Sequence, residues 1–167
     1  MTTPSLLGEA DVARVIGERG IAAEIVHPGE KTPTVEAAAV ALHVGTAQIV
    51  KSLVFLVDDV PHLVITNGTG RVDARALAVA LGARKARLAR PEEASALTGY
   101  AVGGMPPFGH RHPLPVLLEA RVLEQPVVYA GAGSNGAMLR VRPRELLRAT
   151  GARLVSLATP NPGGGGR

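Results

Sequence analysis

The residues Ile49-Val50-Lys51-Ser52-Leu53-Val54-Phe55-Leu56-Val57 constrain the fold more than any other stretch of the chain. They form its longest nearly apolar run, rich in β-branched side chains, and Asp58-Asp59 ends it. Such a run reads as a buried strand. Asp58-Asp59-Val60-Pro61 reads as a turn and His62-Leu63-Val64-Ile65-Thr66 as a returning strand, so the pair is expected as an antiparallel hairpin. Lys51 is the anomaly. An unpaired ammonium is costly to bury. Lys51 therefore either lies just ahead of the strand and points to water, or is a cation at the mouth of a pocket built on a central strand.

Around this hairpin the chain alternates irregularly between helical and extended patterns. Apolar positions Leu6, Leu7, Ala10, Ala13 and Ile16 predict a helix over 5–19, closed by Gly20. A short strand is expected over 21–26, then a helix over 35–42 capped by Thr34 with Glu36 in its first turn. Asp73 caps a helix over 74–81, a short strand is expected at 85–89, and Pro91 opens a helix that Gly99 ends. Strands are expected at 115–118, 126–130, 137–141 and 154–157, with a helical turn at 120–124 and a helix over 144–149. The fold class is mixed α/β (α+β). A curved, largely antiparallel central sheet or small barrel surrounded by helices is expected. Residues 1–158 are expected as one domain and the Pro/Gly-rich 159–167 as a disordered tail.

Composition narrows the function classes. With 167 residues the chain buries roughly 70% of its unfolded surface and needs no covalent staple. It has no cysteine, which excludes disulfides, thiolate metal sites and a cysteine nucleophile and fits a cytoplasmic setting. No apolar run reaches membrane-span length, so no membrane association is expected. Met1-Thr2-Thr3-Pro4 lacks the charged start and apolar core of a signal peptide. The net charge of +4 is compatible with a polyanionic partner. Arg71, Arg75, Arg84, Lys85, Arg87 and Arg90 make one basic section, and Arg140, Arg142, Arg144 and Arg148 a second. Ordinary solvated faces account for both equally well.

Three motifs remain. Gly131-Ala132-Gly133-Ser134-Asn135-Gly136 matches G-x-G-x-x-G, but Ala137 to Val141 carry a strand pattern and the chain is then almost finished. A dinucleotide fingerprint needs a helix there and a second parallel strand with an acidic residue. The segment is a tight strand connection whose amides, with Ser134 and Asn135, can still meet an anion or a ribose hydroxyl. His110-Arg111-His112 places two imidazoles close together without a third ligand, so no metal is expected. No G-x-S-x-G elbow supports a serine triad. Gly103-Gly104-Met105-Pro106-Pro107-Phe108-Gly109 is expected as a rigid, exposed loop that can offer backbone amides to a carbonyl, carboxylate or phosphate.

Lys51-Ser52-Leu53, Arg71-Val72-Asp73, Leu97-Thr98-Gly99-Tyr100, the Val102 to His110 segment and Gly131-Ala132-Gly133-Ser134 occur in this order. In that order they resemble the YbaK/prolyl-tRNA-synthetase-associated domain family, over about residues 20 to 157. The resemblance implies a curved, mostly antiparallel sheet. It also implies trans-editing, the hydrolysis of the ester between a wrong amino acid and tRNA, typically tRNA for proline. Lys51 is implied as the main functional side chain, holding the 3′-terminal adenosine and the ester. Gly103 is implied to present an amide to the substrate carbonyl. Ser52, Gly104, Met105, Pro106, Pro107, Gly109, Gly133, Ser134 and Asn135 are implied to line the same pocket. No cofactor is implied. The partners implied are the acceptor end of an aminoacyl-tRNA and a prolyl-tRNA synthetase. Pro106 departs from the serine or other small polar residue common there, which stiffens the loop and removes one N–H donor. That departure bears on which amino acid is removed.

The residues agree with this chemistry. An aminoacyl ester is labile, so positioning and oxyanion stabilisation suffice, and no triad or metal motif is needed. Two other readings stand beside it. One is a tRNA- or nucleotide-binding module that leaves the ester intact; the other is a hydrolase of a different small activated acyl compound.

Overall fold

The computed structural model describes residues 5–157. The expected 159–167 tail lies outside these residues. Among the described residues, eight strands and five α-helices are interspersed. β2 (Val50–Val57) and β3 (Val60–Asn67) form the expected hairpin, with Val57 paired to Val60. Asp58 and Asp59 make its two-residue turn with φ of 47° and 66°. Positive φ at both central residues matches the right-handed strand twist, and aspartate tolerates it better than most residues. The Asp58 carboxylate also accepts the amides of Arg84 and Lys85, which ties the turn to the neighbouring β4 (Ala86–Leu88).

The hairpin sits inside a five-stranded sheet of order β4-β2-β3-β5-β8, where β5 is Val116–Glu119 and β8 is Arg153–Val155. β4, β2 and β3 pair antiparallel; β5 and β8 join in parallel. A second sheet, wholly antiparallel, has the order β1-β7-β6, from Ala23–Val26, Met138–Val141 and Val128–Gly131. A bridge between Ile49 and Tyr129 links the sheets just ahead of β2. The sheets are therefore mostly antiparallel, as expected.

Two cores use the two faces of β2. Val50 and Val54 join the larger, with Tyr100, Met105, Phe108, Ala130 and Leu139. Phe55 and Val57 join the smaller, with Leu77 of α3 (Ala74–Ala80). Side chains alternate along a strand. Lys51 consequently belongs to the α3 face and Ser52 to the Met105 face.

The helices differ from expectation mainly at one end. α1 is Glu9–Arg19 rather than 5–19. The Leu7 amide is drawn to the Gly99 carbonyl, and the Asp11 carboxylate accepts the Gly8 amide, so the helix starts at Glu9. α2 (Val35–Leu42) carries its Thr34 cap onto the Ala37 amide, and α3 its Asp73 cap onto the Arg75 amide. α4 is Pro91–Thr98 and α5 is Pro143–Thr150. None of the helices among the described residues is long and apolar enough to cross a membrane.

Candidate functional site

The start of β2 is the floor of a groove of about 190 Å³. Ile49 to Leu53 form that floor, and Thr32 to Val35 with Ala38 form one wall, the approach to α2 and its first turns. Val102, Gly103 and Met105 form the opposite wall, closed by Gly131 and Met138 from the second sheet. The first wall is pinned by Thr32, whose amide and hydroxyl both donate to the Asn135 carbonyl, at 2.9 and 3.1 Å.

Lys51 lies on this floor, half-buried, and donates from Nζ to the Gly70 carbonyl at 3.1 Å. Burial pushes its ammonium below the ordinary lysine value. The Glu36 carboxylate opposes that shift and the Arg71 guanidinium adds to it. Lys51 lies within β2 rather than just ahead of it, and it lines the groove. The next residue, Ser52, also lines the groove, and its buried hydroxyl has no hydrogen-bond partner among the described residues, as is true of the Tyr100 hydroxyl in the core. An orphaned buried hydroxyl costs about 1–3 kcal/mol.

The Gly103 loop is not exposed as expected. Gly104 through Phe108 are buried, because Met105 and Phe108 enter the larger core. The second glycine-rich loop clasps it: the Gly133 amide donates to the Gly104 carbonyl at 2.7 Å. A Cβ at Gly131 would stand 2.4 Å from the Met105 carbonyl oxygen, closer than any side chain tolerates. Gly133 has φ of +100° and faces the Gly8 backbone, so it too must be glycine. From behind, His110 donates Nε2–H to the Pro106 carbonyl at 2.7 Å, with Tyr100 edge-on to its ring at 6.3 Å. The loop is thus fixed on both sides. Its Gly103 and Met105 amides donate to no protein acceptor among the described residues.

The structure sorts the sequence candidates into three places. Lys51, Ser52, Gly103 and Met105 line the groove together. Gly104, Gly133, Ser134 and Asn135 form the clasp beside it; Ser134 accepts the Gly136 amide, and the Asn135 side chain lies near Gly103. Pro107 and Gly109 line a separate cavity with Arg19 and His110, and Pro106 is their neighbour in the loop. Thr32 and Gly131 also line the groove and were missed. Thr32 carries no motif signal, and its place depends on its bonds to the Asn135 carbonyl far along the chain.

A model of the aminoacyl-tRNA editing domain matches residues 29–149. The uncharacterized protein YwhH of Bacillus subtilis (strain 168) is 32% identical over 114 residues, covering 68% of this chain and 72% of that one. A candidate Cys-tRNA(Pro)/Cys-tRNA(Cys) deacylase, EbsC of Enterococcus faecalis (strain ATCC 700802 / V583), is 26% identical over 125 residues, covering 74% and 76%. A crystal structure of a candidate trans-editing enzyme for prolyl tRNA synthetase superposes with a TM-score of 0.84 at 36% identity, covering 95% of this chain and 99% of that one.

Proposed function

The chain belongs to the aminoacyl-tRNA editing domain family, and from that premise we propose that it is a trans-acting deacylase of mischarged aminoacyl-tRNA in the cytoplasm. The substrate class proposed is tRNA(Pro) carrying cysteine, alanine or another small amino acid. The names borne by the relatives support this choice. So does the groove, whose remaining walls are short or apolar: Ala38, Ile49, Met105 and Met138 leave room for a small side chain.

One observation carries the reading: a half-buried lysine and two unengaged amides share one groove. Lys51 holds the phosphate and ribose of the terminal adenosine and fixes the ester above the floor. Water, or a nucleophilic group of the substrate, adds to the ester carbonyl carbon. The Gly103 and Met105 amides receive the developing oxyanion. The carbonyl then re-forms, the bond to the ribose oxygen breaks, and that oxygen takes up a proton. When water attacks, the products are the free amino acid and uncharged tRNA. A donor set fixed in advance costs no reorganisation during the reaction, which is the value of a loop clasped from two sides. A prolyl-tRNA synthetase is the proposed partner that brings the tRNA.

The test is to follow ester loss and tRNA mobility in one incubation with cysteinyl-tRNA(Pro). Ester loss above the spontaneous rate is expected. A mobility shift with the ester intact would leave only a binding module.

A further inference from the structure

Aminoacyl esters differ from peptidyl and other acyl esters in one charged group, the free α-ammonium. An enzyme that edits aminoacyl-tRNA and spares N-blocked chains needs an acceptor for it. None of the residues lining the groove is a carboxylate. The nearest acidic group by chain position is Glu36, in the first turn of α2 between the lining residues Val35 and Ala38. Glu36 is exposed and makes no ion pair or hydrogen bond from its side chain among the described residues. It is close enough to act on the Lys51 ammonium. Arg71 also acts on Lys51 and directly follows Gly70, whose carbonyl Lys51 holds. Lys51 thus has both a carboxylate and a guanidinium in its neighbourhood. The substrate end carries complementary groups: an α-ammonium, the ester, and the phosphodiester of the terminal nucleotide.

We propose that Glu36 is the specificity residue for the free α-amino group, accepting the substrate ammonium at the groove rim while Lys51 and Arg71 face the phosphate. The inference rests on the deacylase reading and adds to it a discrimination between aminoacyl and N-acylated tRNA ends. Two placements weigh against a merely structural role. Glu36 is solvent-exposed, and Thr34 already supplies the α2 cap through its hydroxyl.

The test uses uncleavable probes, 3′-alanylamino-3′-deoxyadenosine and its N-acetyl derivative, with Kd measured for the wild type and for Glu36→Gln. A hydrogen bond to a charged group at a rim is expected to favour the free amine about tenfold in the wild type. Glu36→Gln is expected to bind both probes alike, at the wild-type affinity for the acetylated one. Lys51 acts equally on both probes, so their ratio isolates the α-amino contact. Retained selectivity in Glu36→Gln, equal weakening of both probes, or no selectivity in the wild type would each overturn the assignment. Deacylation of charged tRNA by the wild type is read in parallel. If the ester is cleaved while selectivity ignores Glu36, this inference alone falls. If nothing is cleaved or bound, the deacylase reading falls and takes this inference with it.

Discussion

Gly131 presses against the carbonyl of Met105 so closely that a Cβ there would lie 2.4 Å from the oxygen. Two loops that are 26 positions apart in sequence thus share one backbone surface, and the groove wall depends on that contact. Gly131→Ala is expected to lower stability by about 1–3 kcal/mol through overpacking. It should also slow deacylation at least tenfold, on the order of what a small displacement of catalytic groups costs. Gly136→Ala is the control, since a Cβ there meets nothing within 4 Å. Denaturant unfolding and single-turnover deacylation of both variants check the pair.

Lys51 is held where its charge is disfavoured. Its folded pKa lies below the ordinary value of 10.5, with burial as the main cause. The unfolded chain binds that proton more readily, so the cost is complete below the folded pKa and is relieved as pH rises toward 10.5. Lys51→Met, neutral and of similar length, is expected to raise the Tm slightly at neutral pH and to abolish most activity, by about 100-fold or more. The gap in Tm between variant and wild type should narrow at alkaline pH. A variant that loses stability and activity together would contradict this placement.

His110 supports the loop from the core side. Burial pushes its imidazole below the usual histidine value of 6.5, against the favourable bond to the Pro106 carbonyl. The stability it contributes is complete above 6.5 and is lost as pH falls through the lowered folded value. His110→Phe keeps a ring and deletes the donor. It should cost about 1–3 kcal/mol by orphaning a carbonyl, and it should flatten the pH dependence of unfolding below 6.5.

Glu145 joins α5 to the segment ahead of β1. The Arg148 guanidinium, and after it the Ala22 amide, hold its carboxyl down to about 2. Its contribution is complete above 4.5 and disappears as pH falls toward about 2. Glu145→Gln should therefore be less stable than wild type at neutral pH, and the difference should shrink on acidification. Glu93, also held at about 2 by Arg87, keeps part of the acid sensitivity in that variant. Urea unfolding at a series of pH values reads both effects.

Local chemistry was legible in the sequence where one or two residues decide it. The expected turn at 58–61 is found at Asp58-Asp59 alone, with Val60 and Pro61 already in β3, while the Thr34 and Asp73 caps and the apolar β2 run each led to the element found. Lys51 stood out because a charge in an apolar strand contradicts its surroundings. What stayed hidden depends on distant partners. The parallel pairing of Leu63 with Val116 and of Leu117 with Arg153 has no local signature. The Gly103 loop read as exposed from its glycines and prolines, yet Met105 and Phe108 draw it into the core. Thr32 became a wall of the site only through the Asn135 carbonyl, 103 positions away.

The central claim is that Lys51 and the clasped loops hydrolyse a mischarged ester. Its most direct measurement is deacylation of tRNA(Pro) charged in turn with cysteine, alanine and proline, with the wild type and with Lys51→Ala. The predicted result is loss of a mischarged ester well above the spontaneous rate, sparing of prolyl-tRNA(Pro), and near-spontaneous rates throughout for Lys51→Ala. Full activity in Lys51→Ala, or wild-type rates equal to the spontaneous ones on every ester, would contradict it.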